Sequence, residues 1–334
     1  MIKAGQTGLN PLKARKIELM YVEMSKDQQG VAEGSDKIIL SGGSGMVGMA
    51  VRTRLESSGT SVLRLVRRAS GEPNEVRWDP AMSPPLADSS PLEGCSAAIH
   101  LSGASIAGRR WTKRYKREVI ASRVDSTRAL AQMLAGLKQP PRTLIVASAV
   151  GIYGDRSNEL LDESSSPGTG FLPDVCKRWE AAAQPARDAG IRVVHTRFGV
   201  VLGQGSGALG KMLPIFKLGL GGRLGAGRQW MSWVSLEDVV RAICFCLEHA
   251  TIAGPVNVCS PNPVRNSDFT RTLARQLHRP ALFPAPRFAL RLAFGQMADE
   301  ALLASAAVHP RKLLSAGFAF THPALTEALE AALG

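Results

Sequence analysis

A doubly wound, parallel α/β sheet is the fold class this sequence predicts, and three observations predict it. Short apolar runs recur along the chain and alternate with helical patterns, as buried parallel strands and their crossover helices do. The first run, Lys37-Ile38-Ile39-Leu40, leads directly into a glycine turn, Ser41-Gly42-Gly43-Ser44-Gly45-Met46-Val47-Gly48. Beyond it Val47, Ala50, Val51 and Leu55 fall at helical spacing. A strand, a glycine turn and a helix in that order open a Rossmann-type sheet, where the pyrophosphate of a dinucleotide rests on the helix N-terminus. Gly43, Gly45 and Gly48 fit G-x-G-x-x-G, and Gly42, Gly45 and Gly48 fit G-x-x-G-x-x-G. Gly42, Gly43, Ser44, Gly45, Met46, Val47 and Gly48 are therefore the expected cofactor cradle.

The chain is long enough, at 334 residues, to bury a large core. An apolar content of 45% and a charged content of 21% are those of a globular protein. No apolar run is long enough to span a bilayer, so no membrane partner is expected. The five cysteines show neither zinc nor Cys-x-x-Cys spacing, which predicts no metal site and a reducing, cytoplasmic setting. The net charge of +13 attracts polyanions in general, but no base-reading motif accompanies it, so specific nucleic-acid binding is not expected.

Residues 1–36 carry mixed charges and little apolar periodicity and read as a disordered extension. Residues 37–263 read as the dinucleotide-binding domain, and 264–334 as a smaller, mainly helical substrate-side domain. A second strand, Val62–Val66, ends in Arg67-Arg68 with no acid before Glu72. An acid at that place takes the 2′-hydroxyl of NAD, whereas arginine takes the 2′-phosphate of NADP, so NADP(H) is the predicted cofactor. Residues 70–95 read as a loop with Trp78 in a short side strand.

The third strand, Ala97 to Leu101, runs into Ser102-Gly103, and Leu101, Ser102 and Gly103 are expected beside the cofactor. His100, in mid-strand, reads as a satisfied core histidine. A long helix from Lys113 to about Ala135 carries Glu118 and Arg123, both assigned to the cofactor. Arg123 has core-facing spacing and needs an anionic partner. Thr143 to Ser148 is the fourth strand, with Ser148 at its carboxyl end and Tyr153 shortly after. Arg192–Arg197 is the next strand, and Val200 lies where the chain turns back toward the nicotinamide end of the crevice. Gly205–Gly227, rich in glycine, reads as a lid or a plain connection. Ser235 is expected to cap a helix, Val256–Val258 is a further strand, and Asn266–Leu277, Phe288–Ala306 and Pro323–Leu333 read as helices.

The glycine turn, Ser148, the following Tyr153-Gly154 and the loop with Asp162-Glu163 resemble the extended short-chain dehydrogenase/reductases. The sequence is closer still to an atypical branch, the epimerase family proteins. That likeness is carried by Trp111-Thr112, Ser122-Arg123-Val124, Gly170-Phe171-Leu172, Trp179-Glu180-Ala181-Ala182, the run Arg197 to Gly203 and Ser232-Trp233-Val234. It covers residues 37–333, and a C-terminal domain of unknown function matches roughly 264–334. The resemblance implies an NADP(H)-dependent oxidoreductase or epimerase acting on a small molecule, with a homodimer as one expectation. It also exposes a departure. The superfamily's Tyr-x-x-x-Lys pair is absent, because Ser25, Val119 and Ser157 stand four residues beyond the three tyrosines. Cys176 stands where the lysine would be. Ser148, Tyr153 and Cys176 are therefore the catalytic candidates, Tyr153 as a substitute acid or a packing ring, and Cys176 as an acid, a nucleophile or a structural thiol. A non-catalytic NADPH-binding scaffold is the alternative function.

Overall fold

The computed structural model describes residues 36–205 and 207–334, so the extension expected over 1–36 lies, up to residue 35, outside the described residues. The chain lays down β1 (Lys37–Ser41), α1 (Met46–Ser57), β2 (Ser61–Val66), β3 (Glu75–Arg77) and β4 (Ala97–His100). It continues with α2 (Lys113–Ile120), a π-helical turn (Ala121–Asp125), α3 (Ser126–Ala135) and β5 (Thr143–Ala149). Then come β6 (Leu160–Leu161), α4 (Phe171–Ala181), α5 (Gln184–Asp188), β7 (Arg192–Phe198) and β8 (Val200–Leu202). The remainder comprises α6 (Gly207–Lys217), β9 (Trp230–Met231), β10 (Trp233–Ser235), α7 (Leu236–Glu248), β11 (Gly254–Val258) and β12 (Val264–Arg265). Last are α8 (Asn266–Gln276), α9 (Arg287–Phe294), β13 (Ala307–Val308), α10 (Arg311–Ser315) and α11 (Leu325–Leu333).

Seven strands form one sheet in the order β11-β7-β5-β4-β1-β2-β3, and every pairing in it is parallel. Alternate residues of each strand face opposite sides and both sides are covered, which is why the strands are mostly apolar. Ile39, Ala98, Leu144 and Val193 point into a core closed by Leu130 and Leu134 of α3 and Trp179 of α4. Ile38, Leu40, Ile99, Ile145 and Val194 point the other way, against Val51 and Leu55 of α1 and Val239 and Ile243 of α7. The chain leaves β1 toward β2 on one side and β4 on the other, so the order reverses between β1 and β4. A ligand crevice opens there, at the carboxyl ends of the strands.

Several expectations are met in detail. Ser235 caps α7 by accepting the Asp238 amide at 3.0 Å. His100 is a fully buried core histidine held between Ser41 Oγ at 2.5 Å and Ser126 Oγ at 3.2 Å. Others are not. The side strand is Glu75–Arg77, one residue ahead of buried Trp78. The stretch read as a lid or loop contains α6. The helix expected over Phe288–Ala306 stops at Gly295, whose φ of +60° ends α9. The C-terminal segment is also woven back into the sheet domain, β12 pairing with β9 and β13 with β6.

Burial pulls the imidazoles of His100 and His195 down to about 4, so both are neutral in the folded protein. Each folded-state value lies below the ordinary 6.5, so the unfolded chain takes up protons first as pH falls. The contribution is complete above that pH and is lost toward pH 4, at about 3 kcal/mol per histidine. Thermal melts should therefore fall steeply between those two pH values, and His100→Gln should make the fall shallower. A parallel fall in wild type and variant would contradict the assignment.

Candidate active site

The glycine turn is built by backbone crowding. A Cβ on Gly42, where φ is +77°, would lie 2.6 Å from the Leu101 carbonyl carbon and 2.7 Å from the Ser102 amide. A Cβ on Gly48 would lie 2.2 Å from the Gly42 oxygen. Only glycine fits either place, so the β1 turn, the β4 turn and α1 meet with no side chain between them. The α1 ladder starts with the Met49 amide on the Gly45 carbonyl at 2.8 Å, and no side chain caps the helix. The amides ahead of Met49 stay outside the ladder, Ser44 and Gly45 are exposed, and the positive end of the helix dipole faces the crevice. Met46 leans toward Gly203 and Gly207, and Val47 packs on the core beneath. Half-buried Val200 begins β8, which brings the chain back to this turn.

Arg123 reaches the same place from the π-helical turn. Its guanidinium sits 3.3–3.4 Å from the position of a Cβ on Gly103 and 5.1 Å from the Trp179 ring centre. Ser122 Oγ holds the Ala104 amide at 3.0 Å, fixing the turn beside it. The π turn adds a residue to the helix and swings Arg123 into the crevice, a use such turns often have. Among the described residues Arg123 has no carboxylate partner, only the Val119 carbonyl at 3.3 Å and Ser122 Oγ at 3.4 Å. Burial pulls its ionisation down. Glu118, assigned to the cofactor with it, is exposed on α2.

At the end of β2, Arg67 and Arg68 are both exposed. Arg68 is engaged by Glu75 at 2.5 Å, and the same carboxylate holds Arg64 at 2.8 Å. Arg67 has no ion pair among the described residues. Arg64, which the sequence reading passed over, runs beside Gly43, where a Cβ would lie 3.8 Å from its Cδ.

The catalytic candidates separate. Ser148, next to last in β5, donates its hydroxyl to Glu180 Oε1 at 2.7 Å. Glu180 is gripped by Arg197, from Nε to Oε1 and from NH2 to Oε2, both at 2.8 Å. Burial pushes the Glu180 carboxyl up, but the hydrogen bonds and charge of Arg197 outweigh it and hold the group below the ordinary carboxylate range. Tyr153 is not at the crevice, a correction to its reading as a substitute acid. The 3-10 turn Val150–Tyr153 carries it fully inside, where it accepts from Arg197 NH1 at 2.9 Å and donates to Asn257 Oδ1 at 2.8 Å. Burial raises its hydroxyl to about 12. Cys176 is likewise buried, and desolvation raises its thiol to about 12, which corrects its reading as a nucleophile and leaves the structural one. The sequence reading quoted Glu180 and Arg197 only as parts of motifs.

Comparison with known proteins bears on the family and the fold. Residues 38–259 match the model of the NAD dependent epimerase/dehydratase family, and residues 285–332 match a domain of unknown function, DUF1731. The epimerase family protein Mb2239 of Mycobacterium bovis is 42% identical over 292 residues, 87% of this chain and 96% of that protein. The epimerase family protein YfhF of Bacillus subtilis is 38% identical, over 87% of this chain and 96% of its own. The crystal structure of human epimerase family protein SDR39U1 with NADPH superposes with a TM-score of 0.81 at 32% identity, covering 89% of this chain and 98% of that one.

Two substitutions test the geometry. Gly48→Ala forces its Cβ into the Gly42 carbonyl and should lower stability by about 1–3 kcal/mol in denaturant titration. Tyr153→Phe strands Asn257 Oδ1 and an Arg197 N–H and should cost a similar amount, about 1–3 kcal/mol. An unchanged midpoint for Tyr153→Phe would mean that the hydroxyl is not part of the buried network.

Proposed function

Because the chain belongs to the NAD dependent epimerase/dehydratase family, we propose that it binds NADP(H) and acts on a small molecule as an atypical oxidoreductase or epimerase. The observation that carries this reading is the uncapped start of α1 behind a turn that admits only glycine at 42 and 48. It offers free amides and close backbone approach to a pyrophosphate. Arg123, half-buried and without a carboxylate partner among the described residues, is a second group that an anionic ligand would satisfy. Selection of the 2′-phosphate falls to Arg67, which is exposed and unpaired among the described residues, whereas Arg68 shares Glu75 with Arg64. The human relative crystallised with NADPH supports the same choice.

The nicotinamide, when bound, supplies hydride transfer. The chain has to handle the proton, and the Ser148–Glu180 pair is the arrangement available. With its hydrogen directed to Glu180, Ser148 Oγ presents lone pairs outward. A substrate hydroxyl donating to that oxygen would pass its proton to Ser148 as the serine proton moves to Glu180; reduction runs the reverse. Arg197 fixes the carboxylate and keeps it ionised at neutral pH, which leaves it able to take the serine proton but makes it a weaker base than a free carboxylate. The Ser148–Glu180–Arg197 series thus takes the place of the absent Tyr-x-x-x-Lys pair.

A second reading, an NADPH-binding scaffold without turnover, is favoured by one observation: every polar group of Tyr153, and the Ser148 proton, already has a partner inside the protein.

Calorimetry and a panel of carbonyl substrates distinguish the two. NADPH should bind more tightly than NADH, and Arg67→Ala should remove most of that difference, about tenfold. In a turning-over enzyme, Ser148→Ala and Glu180→Gln should each lower kcat by about a hundredfold or more while NADPH affinity holds. Tight NADPH binding with no turnover of the panel would favour the scaffold. No heat with either nucleotide would overturn both readings.

A further inference from the structure

Three neighbouring segments on the substrate side leave large apolar side chains in solvent. Arg279 Nε donates to the Lys217 carbonyl at 3.1 Å, Phe283 N–H to Gly221 at 3.2 Å, and Ala285 N–H to Arg223 at 2.9 Å. Arg110 NH1 reaches the Leu292 carbonyl of α9 at 3.1 Å, so the stretches around 110, 217–223 and 279–292 adjoin. On them Leu218, Leu282, Phe288 and Leu292 are each 74–76% exposed, and Phe283 is 59% exposed. A single exposed leucine is ordinary, but five such residues on adjoining segments make a patch. Phe288 and Leu292 are one helical turn apart on α9, which only Leu290 anchors by burial.

The same segments carry positive charge without compensation. No acidic residue occurs between Glu93 and Glu118, between Asp188 and Glu237, or between Asp268 and Asp299, whereas Arg110, Lys217, Arg223, Arg279 and Arg287 do. A cavity of about 410 Å³ opens beside Leu282 and Pro284, and Arg223, Arg271, Ser267 and Thr270 line its polar side.

We propose that this face docks on an anionic phospholipid surface, with Phe288, Leu292 and Leu282 entering the headgroup boundary while the arginines meet lipid phosphate. The combination selects the partner. A second copy would bring this basic face against its own charge, since a twofold contact uses the same patch twice. A nucleic acid would satisfy the arginines but not cover the leucines and phenylalanines. A lipid interface does both, as it does for amphipathic surface helices. The sequence suggested no membrane partner for want of a spanning run, and no helix among the described residues is long and apolar enough to cross a bilayer. Docking flat on a surface requires no such helix.

The test is co-sedimentation of the full chain with vesicles of phosphatidylcholine alone and of phosphatidylcholine mixed with phosphatidylglycerol. Retention is expected on the mixed vesicles and to fall with added salt. The double variant Phe288→Ser, Leu292→Ser should lower the partition coefficient by at least about tenfold. Arg279→Glu with Arg287→Glu should remove the preference for anionic lipid, at about fivefold per lost positive charge. Melting at the wild-type temperature confirms that each variant is folded, and Leu282→Ser serves if the double variant melts early. No retention on mixed vesicles, equal retention on both kinds, or variants that bind like wild type would overturn the proposal. So would a dimer on gel filtration that the apolar variants break into monomers. Nucleotide binding is not read in this experiment, so the two functional readings stand or fall separately.

Discussion

The ion pair between Glu180 and Arg197 decides what the carboxyl ends of β5 and β7 can do. Removing two charges from water costs several kcal/mol per ion, and that is offset only when geometry is good and the remaining hydrogen-bonding groups are filled. Here both conditions hold. The guanidinium meets the carboxylate through two parallel bonds, its third nitrogen donates to Tyr153, and the carboxylate takes the Ser148 proton as well. The pair therefore ties α4 to the sheet and fixes the direction of the serine hydroxyl. It also draws Tyr153 inward, toward Asn257 and through it to the His309 carbonyl near β13. One buried interaction thus links Ser148 to the C-terminal segment.

This explains which parts of the site were legible in the sequence. The glycine turn could be read because its constraint is local: residues 42 to 48 meet within one turn, and the strand before and helix after announce themselves by period. His100 could be read because an imidazole within an apolar strand needs partners, and Ser41 and Ser126 supply them. The Glu180–Arg197 pair could not. The two residues lie on different elements, Arg197 in a strand that already mixes Arg192, His195 and Thr196 with its apolar residues and Glu180 at a helix position that reads as surface charge. Tyr153, five residues after Ser148, looked like a neighbour of the crevice, but the short 3-10 turn reverses its direction. The π turn at Arg123 was hidden for a similar reason, since one inserted residue barely disturbs a helical period while it rotates everything beside it. Glu75 escaped notice because its claim on Arg64 and Arg68 depends on β3 pairing with β2. The family resemblance, by contrast, rests on motifs spread along the chain and is borne out.

The distribution of acids also accounts for the character of the surface. Several carboxylates are committed to holding the backbone. Asp238, fully buried, accepts the Thr321 and His322 amides and the Ser235 hydroxyl, and so fastens the C-terminal segment to α7. Glu163 accepts the Asn257 amide, and Glu93 accepts those of Lys138 and Gln139. Glu75 adds the Gly71 amide to its two arginines. Acids used this way stand at particular junctions and neutralise little of the outer surface. The basic residues mostly lie on exposed helix and loop positions, so the net charge of +13 appears as an outer field rather than as matched pairs. Three long stretches of chain contain no acid, and two of them also expose the leucines and phenylalanines on and beside α9. The placement of the acids inside and the basic, apolar face outside therefore have one origin: a chain with few carboxylates has used them to close its junctions, and the face left without them is the one with most to gain from a negatively charged partner.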